Sequence, residues 1–566
     1  MAAAPVTGAG SGAATRPKGF RLLGVALRSR KAGAMLAFGF SSGLPFALLI
    51  GTLTAWLGEA KVNLATIGLL SWIGLASAFK FLWSPAVDRL RPPVIGRLGR
   101  RKGWIVPCQA VVIVALFGLI ATDPAREIGQ FALFAFLGAL ASATQDIAID
   151  AWRIDVADEA TPVELLSAVY QLGFRTASIV GGAFALHLAA TMSWSAVYTV
   201  MAALMGVAML LALFAPDTPA PPSGAGIEAG ELDRRTRGIA LAVVGLCWTW
   251  AIVTLLRFMA SVLAEPVAGA KPPSTAEFLK WYGPLIVAAT VLVPLGVAAV
   301  LNRLKARRAV PDAERPRLGL RAVPDHLYRA LLAPLTELVG RLGWGVLIVM
   351  ALILSYQLCF NIWASFAYPF YLDYMHYTKD EVAFASKVFG IFMSMAGVAL
   401  GGLLFLRLGR FPTVLIGAIL PIVGNFVYAD LADGARHIDA VLGALALDRL
   451  AAAAGSDLRM ARLLLTIAYE NISTGVAGAA FVAYVSSIVS KKFPAVQYAL
   501  LSSLTFLIGS LGRGIAGEMF DRYGYAPVFR WTAAAGLFAI LFVALEWWRA
   551  ARIARGAEPG DTGERA

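Results

Sequence analysis

Charge is scarce in this chain. Only 15% of its 566 residues are Asp, Glu, Lys or Arg, against about a quarter in soluble globular domains, which excludes an ordinary solvated surface. Histidine is scarcer still: His187, His326, His376 and His437 stand isolated, and no nucleophile elbow or metal-ligand spacing accompanies them. An integral membrane enzyme is therefore disfavoured, and no cofactor or metal is expected. Cys108, Cys247 and Cys359 fall in separate apolar runs, with no paired framework, and read as small core hydrophobes. Acidic residues number 35 against 49 basic ones, a balance that would suit nucleic acid unless the basic residues gather in the loops of one membrane face.

What is abundant is apolar sequence, at 59% of residues and a mean hydropathy of +0.71. This implies an all-α, multi-pass membrane protein. After a basic tail at 1–31, apolar runs of spanning length fall at about 32–57, 65–84, 103–122, 129–152, 163–190 and 195–215. A Pro/Gly-rich linker follows, then runs at 238–264 and 281–301 and a basic stretch containing an amphipathic surface helix, HLYRALLAPLTELVGRL. Runs at 343–372, 381–405, 411–430, 461–490, 495–520 and 526–548 complete the set. The expected organisation is a tail at 1–31, a six-helix half at 32–215, and a linker at 216–342 carrying two additional spans. A second six-helix half at 343–548 and a tail at 549–566 follow, giving fourteen transmembrane helices. With both termini cytoplasmic, about two-thirds of the Lys and Arg lie on the cytoplasmic side, as the positive-inside rule requires. The basic balance is then topology, and nucleic acid is not a partner.

The chemistry concentrates in SATQDIAIDAWRIDV, 142–156. Asp146 and Asp150 lie one helical turn apart on one face, with Gln145 beside them. A carboxylate within a span costs about 2.5–3.5 kcal/mol on insertion scales and needs a partner, water or a proton. Asp146, the deeper of the two, is assigned proton coupling, and Asp150 a gating role near the inner end. Arg175 lies about 18 Å into its helix, and an Asp146–Arg175 pair is expected. Glu470, with Asn471, poses the same problem in the second half and is the next coupling candidate. Lys80, Arg530 and Glu546 sit near helix ends and read as snorkelling side chains. In GFSSGLPFALLIG, Gly43 and Pro45 interrupt the helical ladder, for ligand approach, gating or simple packing. Asp88, at the edge of a dense basic loop, suits an interdomain latch. Arg175 and Lys387 could meet carboxylates, and Gln145, Tyr170, Gln171, Gln357 and Asn361 could meet hydroxyls and amides. The two extra helices carry none of these motifs and are expected to pack peripherally.

The halves resemble each other, with Leu166-Ser167 aligned on Leu501-Ser502 and Gly182 on Gly517. GFSSGLPFAL, FKFLWSPAVDR with its GRRKGW tail, SATQDIAIDAWRIDV, and ENISTGVAGAAFVA with QYALLSS together resemble the AmpG muropeptide permeases of the major facilitator superfamily. The resemblance covers both halves. It implies the major facilitator fold, a bacterial inner-membrane location and monomeric action among membrane lipids. It further implies proton-driven import of N-acetylglucosaminyl-1,6-anhydro-N-acetylmuramyl peptides from periplasm to cytoplasm, for wall recycling and the induction of β-lactamase. Gln145, Asp146, Asp150, Arg175, Gly43, Asp88, Lys387 and Glu470 fall on the family pattern. Where that pattern has a Lys-Leu-Gly-Asp run, this chain reads Gln357, Leu358, Cys359, Phe360, then Asn361, two charges fewer. A siderophore importer of the same superfamily is the alternative ligand reading, and a non-transporting sensor or scaffold the alternative class.

Overall fold

The computed structural model describes residues 28–62, 79–89, 98–218, 232–263, 275–307, 325, 327–361, 366–453, 455 and 457–556. Every regular element among them is helical. In a lipid core each backbone N–H and C=O must be satisfied within its own segment, and long apolar runs do this only as helices. Eleven helices among the described residues are long and apolar enough to cross a membrane, and a bent pair makes up to twelve. The run expected at 65–84 lies largely outside the described residues. Pro494–Tyr523, where the run at 495–520 was expected, is a further 30-residue helix.

Polar residues start these helices where the sequence offers them. Ser29, Ser193 and Asp457 accept the backbone N–H of Ala32, Ala196 and Met460 at 3.1, 3.3 and 2.7 Å, satisfying donors that the first turn leaves free. Thr378 and Glu381 form a reciprocal capping box. The amphipathic HLYRALLAPLTELVGRL segment forms Tyr328–Leu342. It meets Gly345–Phe360 at 106° through Gly343, whose φ of +55° permits the turn. Its Leu335, Leu338 and Val339 are buried. Between the runs expected at 411–430 and 461–490 lie two short helices, Arg436–Ala444 and Leu447–Ala453.

Small residues let two helix pairs approach closely. Gly39 and Gly173 sit at the crossing of Arg30–Phe46 and Val163–Ser178, where a Cβ at Gly173 would lie 2.2 Å from the Leu36 carbonyl oxygen. Gly397 and Gly475 do the same for Gly390–Leu408 and Leu458–Ile488, with a Cβ at Gly475 2.4 Å from the Ser394 carbonyl. The obstacle is backbone in both cases, so no rotamer relieves it. Gly173→Ala is therefore expected to cost about 1–3 kcal/mol, read as a lowered thermal midpoint in detergent. Gly33→Ala, with nothing within 4 Å of the added Cβ, should leave the midpoint unchanged or raise it.

The first helix continues past Pro45 through a widened turn at Ala47–Thr52, and the fifth expected span has a matching widened turn at Ile179–Phe184. Such turns free a carbonyl from the ladder. Here the Thr52 hydroxyl donates to the Gly181 carbonyl, joining the two turns.

The helices at Arg234–Leu263 and Thr275–Arg307 pack against each other, with Trp248 donating to the Thr290 carbonyl at 3.1 Å. Trp248 also lies edge-on to Phe81 at 5.6 Å. Trp250 and Arg257 are exposed.

Candidate functional site

Asp146 and Asp150 share a face of Ile128–Val156, as their spacing requires, but their surroundings differ. Asp150 is compensated twice: Lys80 Nζ lies 3.3 Å from one carboxylate oxygen and Arg153 Nη2 3.0 Å from the other. All three side chains are buried. Asp146 makes no ion pair among the described residues. Ser42 donates its hydroxyl to Asp146 Oδ1, and Ser42 Oγ lies 2.7 Å from the Tyr170 hydroxyl.

Three expectations are corrected here. Arg175 does not pair with Asp146; it forms no ion pair among the described residues, and its Nε has no hydrogen-bond partner. Lys80 does not snorkel. It sits on a short helical turn, Lys80–Leu82, beside the separate helix Ser84–Arg89, and is turned inward to Asp150. Glu546 is likewise buried and held by both oxygens to Arg549 at 2.7 Å. Arg530, by contrast, is exposed and paired with Asp433.

The remaining sequence candidates divide by exposure. Gln145 is fully buried, donating to Ser41 at 3.2 Å, and Tyr170 is buried with its hydroxyl engaged by Ser42, which joins it to the Asp146 network. Gly43 is a packing residue, since a Cβ there would stand 2.6 Å from the Phe174 carbonyl. Pro45 is buried directly before the widened turn. Gln171 is half-buried opposite Gly478 of the second half, with its Nε2 3.6 Å from where a Cβ of Gly478 would lie. Gln357 is half-buried at the break between Gly345–Tyr356 and Leu358–Asn361. That break leaves the Cys359 carbonyl to Asn425, which donates to it at 3.1 Å and to Thr532 at 2.9 Å. The side chains of Asn361 and Lys387 lie outside those described.

In the second half, Glu470 accepts from the Tyr428 hydroxyl, which lies 2.5 Å from the Tyr371 hydroxyl. The group opens on a small cleft lined by Phe360, Asn425, Ser473 and Thr474, with room for about one water. Asn471 is half-buried and donates to the Ile467 carbonyl of its own helix at 2.9 Å.

At one end the halves are tied by polar contacts. Asp88 accepts the backbone N–H of Ala495 and Val496 at 3.3 and 3.1 Å, capping Pro494–Tyr523 from the other half. A carboxylate there complements the positive end of that helix. Arg101 bridges Asp88 and Asp155 at 2.9 and 2.8 Å, and Arg100 adds a second bond to Asp155 at 2.7 Å. Burial pushes the Asp88 carboxyl above its ordinary range, with Arg101 and the two amides pulling the other way. Nearby, burial raises Asp158, yet hydrogen bonds from Lys31 and Thr161 hold it down at about 2. Lys491 reaches the Ala157 carbonyl at 3.4 Å, and Arg153 reaches Ser486 at 3.1 Å. Asp88→Asn, which loses the ion pair with Arg101 and weakens the cap, is expected to populate a form open at this end. Accessibility of a cysteine placed at buried Val489 would report it; unchanged labelling with normal transport would make the cap dispensable.

Sequence reasoning passed over Ser42, Arg153 and Tyr428. Ser42 lay inside GFSSGLPF beside the Gly and Pro that drew attention, and Arg153 lay three residues from Asp150. Nothing in the sequence ties Tyr428 to Glu470, 42 residues apart.

Residues 32–265 match the Major Facilitator Superfamily. The chain is 27% identical over 519 residues to the anhydromuropeptide permease of Escherichia coli K12, covering 91% of this chain and 79% of that one. It is 22% identical over 510 residues to the putative transporter AmpG 4 of Rickettsia felis, covering 89% and 94%. Among solved structures it is similar to the human organic anion transporter MFSD10, with a TM-score of 0.52 at 15% identity over 91% of this chain and 99% of that one. It is also similar to the POT family transporter PepTSo, with a TM-score of 0.53 at 14% identity over 96% and 100%. The chain has the all-helical major facilitator fold, and its likeness to AmpG-type permeases extends over nine-tenths of its length.

Proposed function

We propose that this chain, a secondary transporter of the major facilitator fold and not an enzyme, imports anhydromuropeptides from periplasm to cytoplasm by proton-coupled alternating access in a bacterial inner membrane. The relatives named as anhydromuropeptide permease and AmpG transporters support the ligand class. One contrast carries the mechanism: Asp150 has a cation on each oxygen, whereas Asp146 has only a hydroxyl. A carboxylate held by two cations is committed to those contacts, while one with no paired cation in a low-dielectric site is the one placed to exchange a proton as its surroundings change. Asp146 is thus the proton carrier and Asp150 the anchor of Lys80 and Arg153.

The substrate brings carboxylates and sugar hydroxyls. Arg175, with an unpartnered guanidinium nitrogen, suits a peptide carboxylate. Half-buried Gln171 and Gln357 suit hydroxyls and amides; Lys387 and Asn361 are proposed alongside them on their family positions. Glu470 is a second proton-binding candidate, held by Tyr428. The Asp88 cap acts as the latch that keeps the cytoplasmic side closed while the other side loads.

The deciding measurement is uptake of labelled anhydromuropeptide against a ferric siderophore in vesicles with an imposed proton gradient. Accumulation of the muropeptide alone supports the reading. Accumulation of the siderophore alone replaces the ligand, and accumulation of neither with the protein intact overturns transport of both classes.

A further inference from the structure

Gln497 opens the QYALLSS stretch and is fully buried, with its amide engaged at both ends. Its Oε1 accepts the backbone N–H of Ser490 at 2.8 Å, and its Nε2 donates to the Pro334 carbonyl at 2.9 Å and to Glu337 Oε2 at 2.5 Å. Pro334 and Glu337 lie on the amphipathic surface helix Tyr328–Leu342. One turn further along it, Arg341 is paired with Glu337 at 3.1 Å and donates to the Ile488 carbonyl at 2.7 Å. That carbonyl is one that the end of Leu458–Ile488 leaves free, where a cation is favoured. The surface helix therefore holds the chain on both sides of the turn at 489–493, at Ile488 before it and at Gln497 after it.

This turn delivers the helix start that Asp88 caps. Pro494 has no N–H, Ala495 and Val496 donate theirs to Asp88, and Gln497 donates its own to the Phe493 carbonyl at 3.1 Å. Ala495 and Val496 are buried. Displacing the helix start from Asp88 would leave two buried N–H groups without an acceptor, so its position matters.

The surface helix also reaches the helix that carries Asp88. Its first turn, Tyr328–Leu332, packs against Ser84–Arg89, with Tyr328, Leu332 and Val87 all buried. Arg237 of the first extra helix anchors it, 3.2 Å from Asp325 and with its guanidinium over the Tyr328 ring at 5.8 Å. One element thus touches both the helix that supplies the carboxylate and the helix that receives it.

We propose that Gln497 is the positioning residue of the Asp88 latch, and that the surface helix, through Pro334 and Glu337, is the brace that holds Ala495 and Val496 where they meet the carboxylate. This rests on Asp88 as the latch, and not on the identity of the transported ligand.

The test needs no substrate. Spin labels at Ala160→Cys and Leu408→Cys, both exposed positions, in a chain otherwise lacking cysteine, report the separation of the halves at this end, where Glu164 and Arg410 lie 3.9 Å apart. Gln497→Met keeps the length of the side chain and removes its hydrogen bonds. A longer-distance population should grow severalfold in it, as in Asp88→Ala. Because both act on one contact, the two substitutions combined should give no more than Asp88→Ala alone. Glu337→Ala, at a half-buried position, should give a smaller rise and stands in for Gln497→Met if that variant does not fold. The parent's distances in Gln497→Met and Glu337→Ala, even with a lowered thermal midpoint, overturn the proposal, as does a rise that adds to that of Asp88→Ala. The parent's distances in Asp88→Ala would overturn the latch itself, and the brace with it.

Discussion

Asp146→Asn is expected to abolish accumulation driven by a proton gradient, bringing it to the level of empty vesicles, while substrate exchange down its own gradient continues. The asparagine amide has the size of the carboxylate and can still accept from Ser42, so the local hydrogen bonding at the site survives. What is lost is the ability to take up and release a proton. Because no cation is paired with Asp146 among the described residues, removing its charge strands no partner. The fold should therefore be intact, and the thermal midpoint close to that of the parent. Counterflow and gradient-driven uptake, measured on the same vesicles, separate the two activities. Retained accumulation in Asp146→Asn would move the coupling to Glu470, and Glu470→Gln would then show the loss.

Asp150→Asn should do the opposite, damaging the fold more than the coupling chemistry. Its two oxygens hold Lys80 and Arg153, and both cations are buried. Breaking a buried pair by removing one partner costs about 3–5 kcal/mol, because the remaining charge is left uncompensated; here one substitution leaves two such charges. A strongly lowered thermal midpoint in detergent is the expected result. Asp150→Asn combined with Lys80→Gln removes one stranded cation and should recover part of the loss. Were Asp150→Asn as stable as the parent, the ion pairs would be incidental to the fold.

These two carboxylates also show where sequence reasoning works and where it stops. Their shared face follows from a spacing of four on one helix, which no packing arrangement alters. Their partners depend on how neighbouring helices are rotated, which the sequence does not state. Arg175 lies twelve residues past Val163, and Asp146 ten residues before Val156, so depth alone makes them a plausible pair across a short loop. In the structure Asp146 turns to Ser42 and the Arg175 Nε has no partner, so the pairing fails. Lys80 was misjudged for a different reason. It reads as the end of a continuous span, but the chain there breaks into a three-residue turn and a short helix, which aims the amine inward. The helices at Arg436–Ala444 and Leu447–Ala453 escaped notice because Ala435 and Ala446, with φ of 63° and 53°, make left-handed turns usually marked by glycine. The apolar spans themselves were legible, since about twenty lipid-compatible residues have no other way to satisfy their backbone.

The facing widened turns at Ala47–Thr52 and Ile179–Phe184 also bear on which changes of chain length this fold accepts. A widened turn holds one residue more than an α-helical turn, and one residue rotates everything beyond it by about 100°. Deleting a single residue from only one of these turns would keep the glycine crossing below it and swing the outer part of that helix off its neighbour. Deleting one from each would turn both outer contact faces away from one another, because each segment rotates about its own axis. The two turns therefore set the facing of the outer segments jointly, and a change of chain length in either is expected to break the Thr52–Gly181 contact that joins them.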